Sequence, residues 1–158
     1  MVGVNYSVVK KRISLLIFLL LVLNVNGQES FHRYTVKSIY SGKIARVNFK
    51  SNPTARVYRT RISKEYKQNG VNFAGHYSFA YWGCGSPCTG CAIVDVKTGE
   101  VYLGPDSGFG YDFVKESKLL IVNPKDTVSN SGQNLWDVVY QEEIWVWREK
   151  TKEFIKLK

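Results

Sequence analysis

Residues Asn72–Tyr102 read NFAGHYSFAYWGCGSPCTGCAIVDVKTGEVY. This stretch holds all three cysteines, one of the two histidines, and a dense run of aromatics and glycines. From Gly75 to Trp82 the side chains alternate: His76, Ser78, Ala80 and Trp82 share one side, and Tyr77, Phe79 and Tyr81 share the other. Both sides are largely apolar, which predicts an inner strand. Beyond the cysteine loop, Ala92-Ile93-Val94-Asp95-Val96 predicts a short buried strand. Lys97-Thr98-Gly99 then turns the chain into Glu100–Leu103, with the glycine supplying the positive φ that the turn requires.

The cysteines form C-x3-C-x2-C at Cys84, Cys88 and Cys91. An odd count allows three pairings, each leaving one thiol over. Loop entropy does not choose among them, since such short loops give roughly 2 to 2.5 kcal/mol in every case. Geometry favours Cys84–Cys88, because Gly85-Ser86-Pro87 is a tight turn that brings two Cβ atoms to bonding distance. Cys88–Cys91 and Cys84–Cys91 stay open.

Three chemical readings of the same residues compete with a plain staple. Cys88-Thr89-Gly90-Cys91 has the spacing of a disulfide oxidoreductase, but a β-branched strand follows it in place of the helix that lowers a thiol pKa. His76 with the three cysteines offers the ligand types of a zinc site, without a second C-x2-C pair. A Cys nucleophile with His76 as base needs hydrogen-bond reach. On one strand Cys84 would lie about 26 Å from His76, so only Cys88 or Cys91, returning on a neighbouring strand, would come closer.

Asn72–Tyr102 resembles a motif of small exported bacterial proteins of unknown function: Asn-Phe-Ala-Gly-His-Tyr, then Trp-Gly-Cys-Gly-x-x-Cys, then Ala-Ile-Val-Asp before a Thr-Gly turn. The resemblance is looser at Ser117–Val122 and near Trp145–Trp147. It maps onto Cys84 and Cys88, and it implies export and a single domain. Cys91 stands where the pattern usually has Gly. No catalytic role is carried over by it.

Upstream, Asn52-Pro53 opens the strongest helix pattern. Asn52 is a good N-cap and Pro53 suits the first helical position. Ala55, Tyr58, Ile62 and Tyr66 fall within an arc of about 80°. Arg56, Arg59, Lys64 and Lys67 fan over the other side, and Asn69-Gly70 supplies a left-handed stop. One amphipathic helix lying on a sheet is expected. Its basic face is either solvated or an anion-binding surface. Between Gln28 and Tyr40 the chain begins polar and reads as loosely ordered, and Ile39–Phe49 predicts one or two short strands.

Downstream, strands are expected at Tyr111–Val114, Lys118–Val122, Val138–Trp147 and Glu153–Leu157, with a polar loop from Asn123 to about Asn134. Trp145 and Trp147 share one strand face, with Ile144 and Val146 on the other. Aromatics on an open sheet bind sugar rings or bases, whereas a strand apolar on both faces belongs to the core. Asp95 is read as a cap for the Lys97-Thr98-Gly99 turn, since no partner for acid–base work is evident. The fold class is α+β, a mostly antiparallel meander of hairpins with one helix packed on it.

At the other end of the chain, Lys10, Lys11 and Arg12 precede an apolar run, Ile13–Leu23, too short to span a bilayer as a helix. Residues 1–27 therefore read as a signal peptide, and residues 28–158 as one exported domain with one core, periplasmic or extracellular. Removing the three basic residues takes the formal charge from +9 to +6. Export favours disulfides over free thiolates. The cationic balance allows an anionic envelope or extracellular partner.

The sequence thus supports a non-catalytic binding or inhibitor domain. The candidate surface comprises His76, Tyr81, Trp82, Cys84, Cys88, Cys91 and Asp95, with no catalytic residue, metal or cofactor assigned. The alternative is a cysteine- or zinc-dependent enzyme using His76, Cys84, Cys88 and Cys91. No phosphate-cradling glycine loop or serine nucleophile elbow occurs in the chain.

Overall fold

The computed structural model describes residues 28–130 and 140–157. The expected signal peptide lies outside the described residues, as do the end of the polar loop and the beginning of the expected Val138–Trp147 strand.

The helical segment forms as two pieces, α2 (Pro53–Val57) and α3 (Arg59–Asn69), after a short α1 (Gln28–Arg33). Asn52 caps α2, its Oδ1 accepting from the Ala55 amide at 3.0 Å, with Pro53 in the first turn. A single helix was expected here; the chain instead breaks at Tyr58. That residue ends α2 and starts α3 while its ring stacks on Trp82 at 4.5 Å between centroids. Packing of the ring against the sheet wins over helix continuity. Gly70, at φ 55, terminates α3 and donates to the Tyr66 carbonyl. Ala55, Ile62 and Tyr66 are buried, and Arg59, Arg61, Lys64 and Lys67 are exposed.

Seven strands form two antiparallel sheets. β1 (Tyr77–Gly85), β2 (Cys88–Asp95) and β3 (Val101–Leu103) lie in the order β1-β2-β3. β4 (Tyr111–Phe113), β5 (Leu119–Val122), β6 (Glu143–Arg148) and β7 (Glu153–Lys156) form the second, in chain order. The α+β class holds, with meander connectivity inside each sheet. The polar loop after β5 contains a short α4 (Lys125–Asn130).

Two hydrophobic cores replace the single one expected. Ala80, Trp82, Ala92, Val94 and Val96 pack beneath Ala55, Ile62 and Tyr66. Tyr77, Phe79, Cys91 and Ile93 pack on Leu120, Val122 and Trp147. The β1–β2 pair is thus a middle layer between helix and second sheet, which explains why β1 is apolar on both sides. It is not an inner strand of its sheet, contrary to expectation: β1 stands at the sheet edge. The Asn72 side chain covers that edge, its Oδ1 accepting from the Phe79 amide at 2.6 Å and its Nδ2 donating to the Phe79 carbonyl at 3.2 Å.

Two further expectations fail in the first third of the chain. Residues 34–40 are tied down: the Val36 amide donates to Glu116 O, the Lys118 amide to Tyr34 O, and the Tyr40 amide to Gly75 O. Ile39–Phe49 forms no strand; it is held by single backbone bonds, Ala45 N to Val96 O and Asn48 N to Gly99 O. Gly99 is needed there, since at φ 81 its Cβ would lie 2.0 Å from the Arg46 carbonyl oxygen. Among the described residues no helix is long and apolar enough to cross a membrane.

Candidate functional site

β1 and β2 pair from Tyr77↔Asp95 to Gly83↔Thr89, and the register shifts between Gly83 and Gly85. The bulge sets Cys84 opposite the turn, where it bonds to Cys88 with Cα atoms 5.1 Å apart. The pairing favoured by turn geometry is therefore the one present. Gly83, Cys84, Gly85 and Ser86 are exposed, and Tyr81 beside them keeps 51% of its surface open. Trp82, on the opposite side of β1, is buried under Tyr58.

The chain just below the tip of this hairpin is clamped by the following loop. Thr89 and Ser107 exchange backbone bonds at 2.7 and 2.8 Å. Asn123, at φ 52 and 6% exposed, accepts through Oδ1 from Ser107 Oγ and from the Gly108 and Phe109 amides. A groove of about 350 Å³ opens alongside, between Pro87–Cys88, Asp106–Gly108, Asn123, Tyr140, Gln141 and Glu143. Burial pushes the Glu143 carboxyl up, but bonds from Lys156 and Trp145 outweigh it and hold the group below its ordinary range.

Cys91 lies elsewhere. It is 1% exposed in the core between the sheets, its thiol donating to the Pro105 carbonyl at 3.3 Å. Burial pushes that thiol up to about 12, so at neutral pH it is a protonated core group. It pairs across the ladder with Tyr81. Five residues of strand separate it from the level of His76, about 17 Å.

His76 is not on β1. Ala74 at φ 43 and Gly75 at φ 78 make a turn closed by reciprocal bonds between Phe73 and Tyr77, so the strand starts one residue later. His76 instead joins a charged cluster at the far end of the hairpin. Its Nε2 lies 3.5 Å from Glu149 Oε1 and 4.0 Å from Asp95 Oδ2. Lys152 reaches Glu149, lies 4.0 Å from Asp95, and donates to the Tyr77 hydroxyl at 2.9 Å. Tyr77 donates to Glu149 and is itself fully buried. Trp147 Nε1 donates to Glu149 at 3.0 Å.

The electrostatics follow from these contacts. Burial pushes Glu149 up, yet bonds from Lys152, Tyr77 and Trp147 win and bring its carboxyl down to about 2. Burial, then the nearby Lys97 charge, lowers His76 below its ordinary value; Glu149 and Asp95 offset part of this. Burial and the Glu149 bond raise the Tyr77 hydroxyl far above the ordinary phenol range.

Asp95 does cap its turn, Oδ1 accepting from the Lys97 amide at 2.9 Å, and its second oxygen finds the partners His76 and Lys152. The structure thus joins His76 to Asp95, and Cys84 to Cys88 with Tyr81 nearby, as two places at opposite ends of one ladder. Cys91 and Trp82 are core residues. Sequence reasoning missed Tyr77, Glu149 and Lys152 as a unit; Glu149 and Lys152 lie 72 and 75 positions from Tyr77 and fall between the last two expected strands. Among the described residues no group of three or more His, Cys, Asp or Glu side chains is arranged to hold a metal ion. Set against protein-family models, curated proteins and solved structures, the chain shows no match. The functional reading therefore rests on this geometry.

Proposed function

We propose that residues 28–158 form an exported, non-catalytic binding or inhibitor domain whose recognition surface is the tip of the β1–β2 hairpin with the groove beside it. One observation carries this: the Cys84–Cys88 disulfide cross-links a protruding turn whose residues 83–86 are exposed, directly next to the 350 Å³ groove. A turn held by a covalent staple loses little entropy on binding, so a contact made there is stronger than one made by a free loop. Asn123 and the Thr89–Ser107 bonds hold the groove wall in the same way. The charged stretch at Lys10–Arg12 with the apolar run after it, and the likeness of Asn72–Tyr102 to small exported bacterial proteins, support export.

The enzyme alternative needs His76, Cys84, Cys88 and Cys91 in one site. Two of those sulfurs are bonded to each other and the third is buried at another level of the ladder.

Two measurements test the reading. Thiol titration and metal analysis of the exported protein should find one thiol, exposed only on unfolding, and no stoichiometric zinc; three thiols with one zinc would overturn it. A photo-crosslinking residue placed at Ser86, and in a second variant at Lys67 on the helix, should give an adduct from Ser86 only. Adducts from both positions, or from Lys67 alone, would move the surface to the basic helix.

A further inference from the structure

A second cavity, of about 280 Å³, lies at the opposite end of the hairpin, walled by residues 38–42 with Gly75, His76 and Lys97. We propose that this cavity binds a small organic carboxylate, with Lys97 holding its charge and His76 taking up a proton as it binds.

The wall is a built one. Tyr40 N donates to Gly75 O, drawing the 38–42 loop against the turn that carries His76. Gly75 sits at φ 78, and a Cβ there would lie 2.7 Å from the Ser38 carbonyl oxygen, so no side chain fills the floor. Lys97 places its ammonium 5.5 Å from the centroid of the Tyr40 ring, at the cavity wall. Positive φ in non-glycine residues occurs, among the described residues, at Ala74, Asn123 and Lys152. Two of these three lie at the His76 cluster, held in place by the surrounding structure.

Charge counting selects the ligand class. The groups facing His76 are Glu149 and Lys152 from the β6–β7 turn, Asp95 from β2, Lys97 from the β2–β3 turn, and the Tyr77 ring. Asp95 and Glu149 balance Lys97 and Lys152, so the cluster is neutral when His76 is neutral. Lys152 is engaged by Glu149 and Tyr77. An entering monoanion adds one negative charge, which one proton on His76 restores to balance. A dianion such as sulfate brings two, against Asp95 and Glu149 just behind the imidazole. Burial lowers His76 below its ordinary range in the free protein, so at neutral pH the imidazole is mainly unprotonated and it is the added anion that draws the proton in.

The test is calorimetric titration of residues 28–158 with acetate and with glucuronate, at pH 6 and 7, in two buffers of different ionisation enthalpy. Sulfate and chloride at equal ionic strength are the comparisons. Carboxylate binding should be accompanied by uptake of up to one proton and should strengthen by up to about tenfold per pH unit on acidification. Lys97→Met should weaken binding at least about tenfold, while Lys97→Arg retains it. His76→Gln should bind without pH dependence. Absence of carboxylate binding, binding without proton uptake, tighter binding of sulfate or chloride, or a Lys97→Met protein that binds like the parent would each overturn the proposal. Lys97 is exposed, so that variant carries the test even where His76→Gln fails to fold.

Discussion

The Tyr77 hydroxyl donates to Glu149 Oε2 at 2.8 Å, joining the first residue of one sheet to a turn of the other across 72 positions of chain. The same oxygen accepts from Lys152 at 2.9 Å, and the lysine also reaches Glu149. A phenol, a carboxylate and an ammonium thus close the seam between the sheets at its end.

Tyr77→Phe deletes only that oxygen and keeps the ring against Trp147, 5.2 Å away between centroids. Two charge-assisted bonds are lost together. Glu149 and Lys152 are each partly exposed, so water replaces some of what they lose. The expected cost is about 1–3 kcal/mol. Urea unfolding should show a lower midpoint with an unchanged slope.

Glu149 gives the protein an acid-sensitive term. Its carboxyl sits at about 2 when folded against an ordinary 4.5. The folded value is the depressed one, so the contribution is fully present above about pH 4.5 and fades as pH falls toward 2. Glu149→Gln should lower stability at pH 7 and leave a flatter stability profile between pH 4.5 and 2. Thermal unfolding of both proteins across that window checks the sign; a parallel loss in the two proteins would rule the term out. Solvent exposure of the carboxylate keeps the effect modest.

The Cys84–Cys88 bond closes a loop of four residues' separation. The loop-entropy account gives a contribution of about 2 kcal/mol for so short a ring. Replacing both cysteines by serine should therefore lower the unfolding free energy by about that amount while the tryptophan bands of the near-ultraviolet circular dichroism stay unchanged, because residues 83–88 belong to neither core. A collapse of the tryptophan bands would mean that the staple organises the fold and not only its tip.

Local patterning made much of this architecture legible. The alternation over Tyr77–Trp82 correctly sorts those residues between two faces, and the Asn52 cap and the Gly70 stop stand where helix chemistry puts them. The strand was read as internal because both faces are apolar, yet a strand sandwiched between layers shows that same pattern at a sheet edge. At Phe79 that edge is closed by Asn72, a side chain seven residues upstream, and no periodicity signals such a bond. The break at Tyr58 likewise depends on Trp82, in another element. At the hairpin tip the signal was local, carried by Gly and Cys spacing. At the His76 end the partners come from Asp95, Glu149 and Lys152, whose meeting is a matter of topology.

Gly104 and Cys91 test how tightly the space between the sheets is filled. A Cβ at Gly104 would lie 2.5 Å from Cys91 Sγ and 3.3 Å from the Phe154 ring. Both neighbours are held: the thiol donates to Pro105 O, and the ring packs on Trp147 at 5.1 Å between centroids. Gly104→Ala should then cost about 1–3 kcal/mol through overpacking. Cys91→Ala alone leaves a small void and should cost roughly 1 kcal/mol. Together they should cost less than their sum, since the new methyl occupies the place the sulfur vacates, giving a coupling of at least about 0.5 kcal/mol in a double-mutant cycle. Additive costs would mean that the backbone at Gly104 moves away from the thiol instead of contesting the same volume.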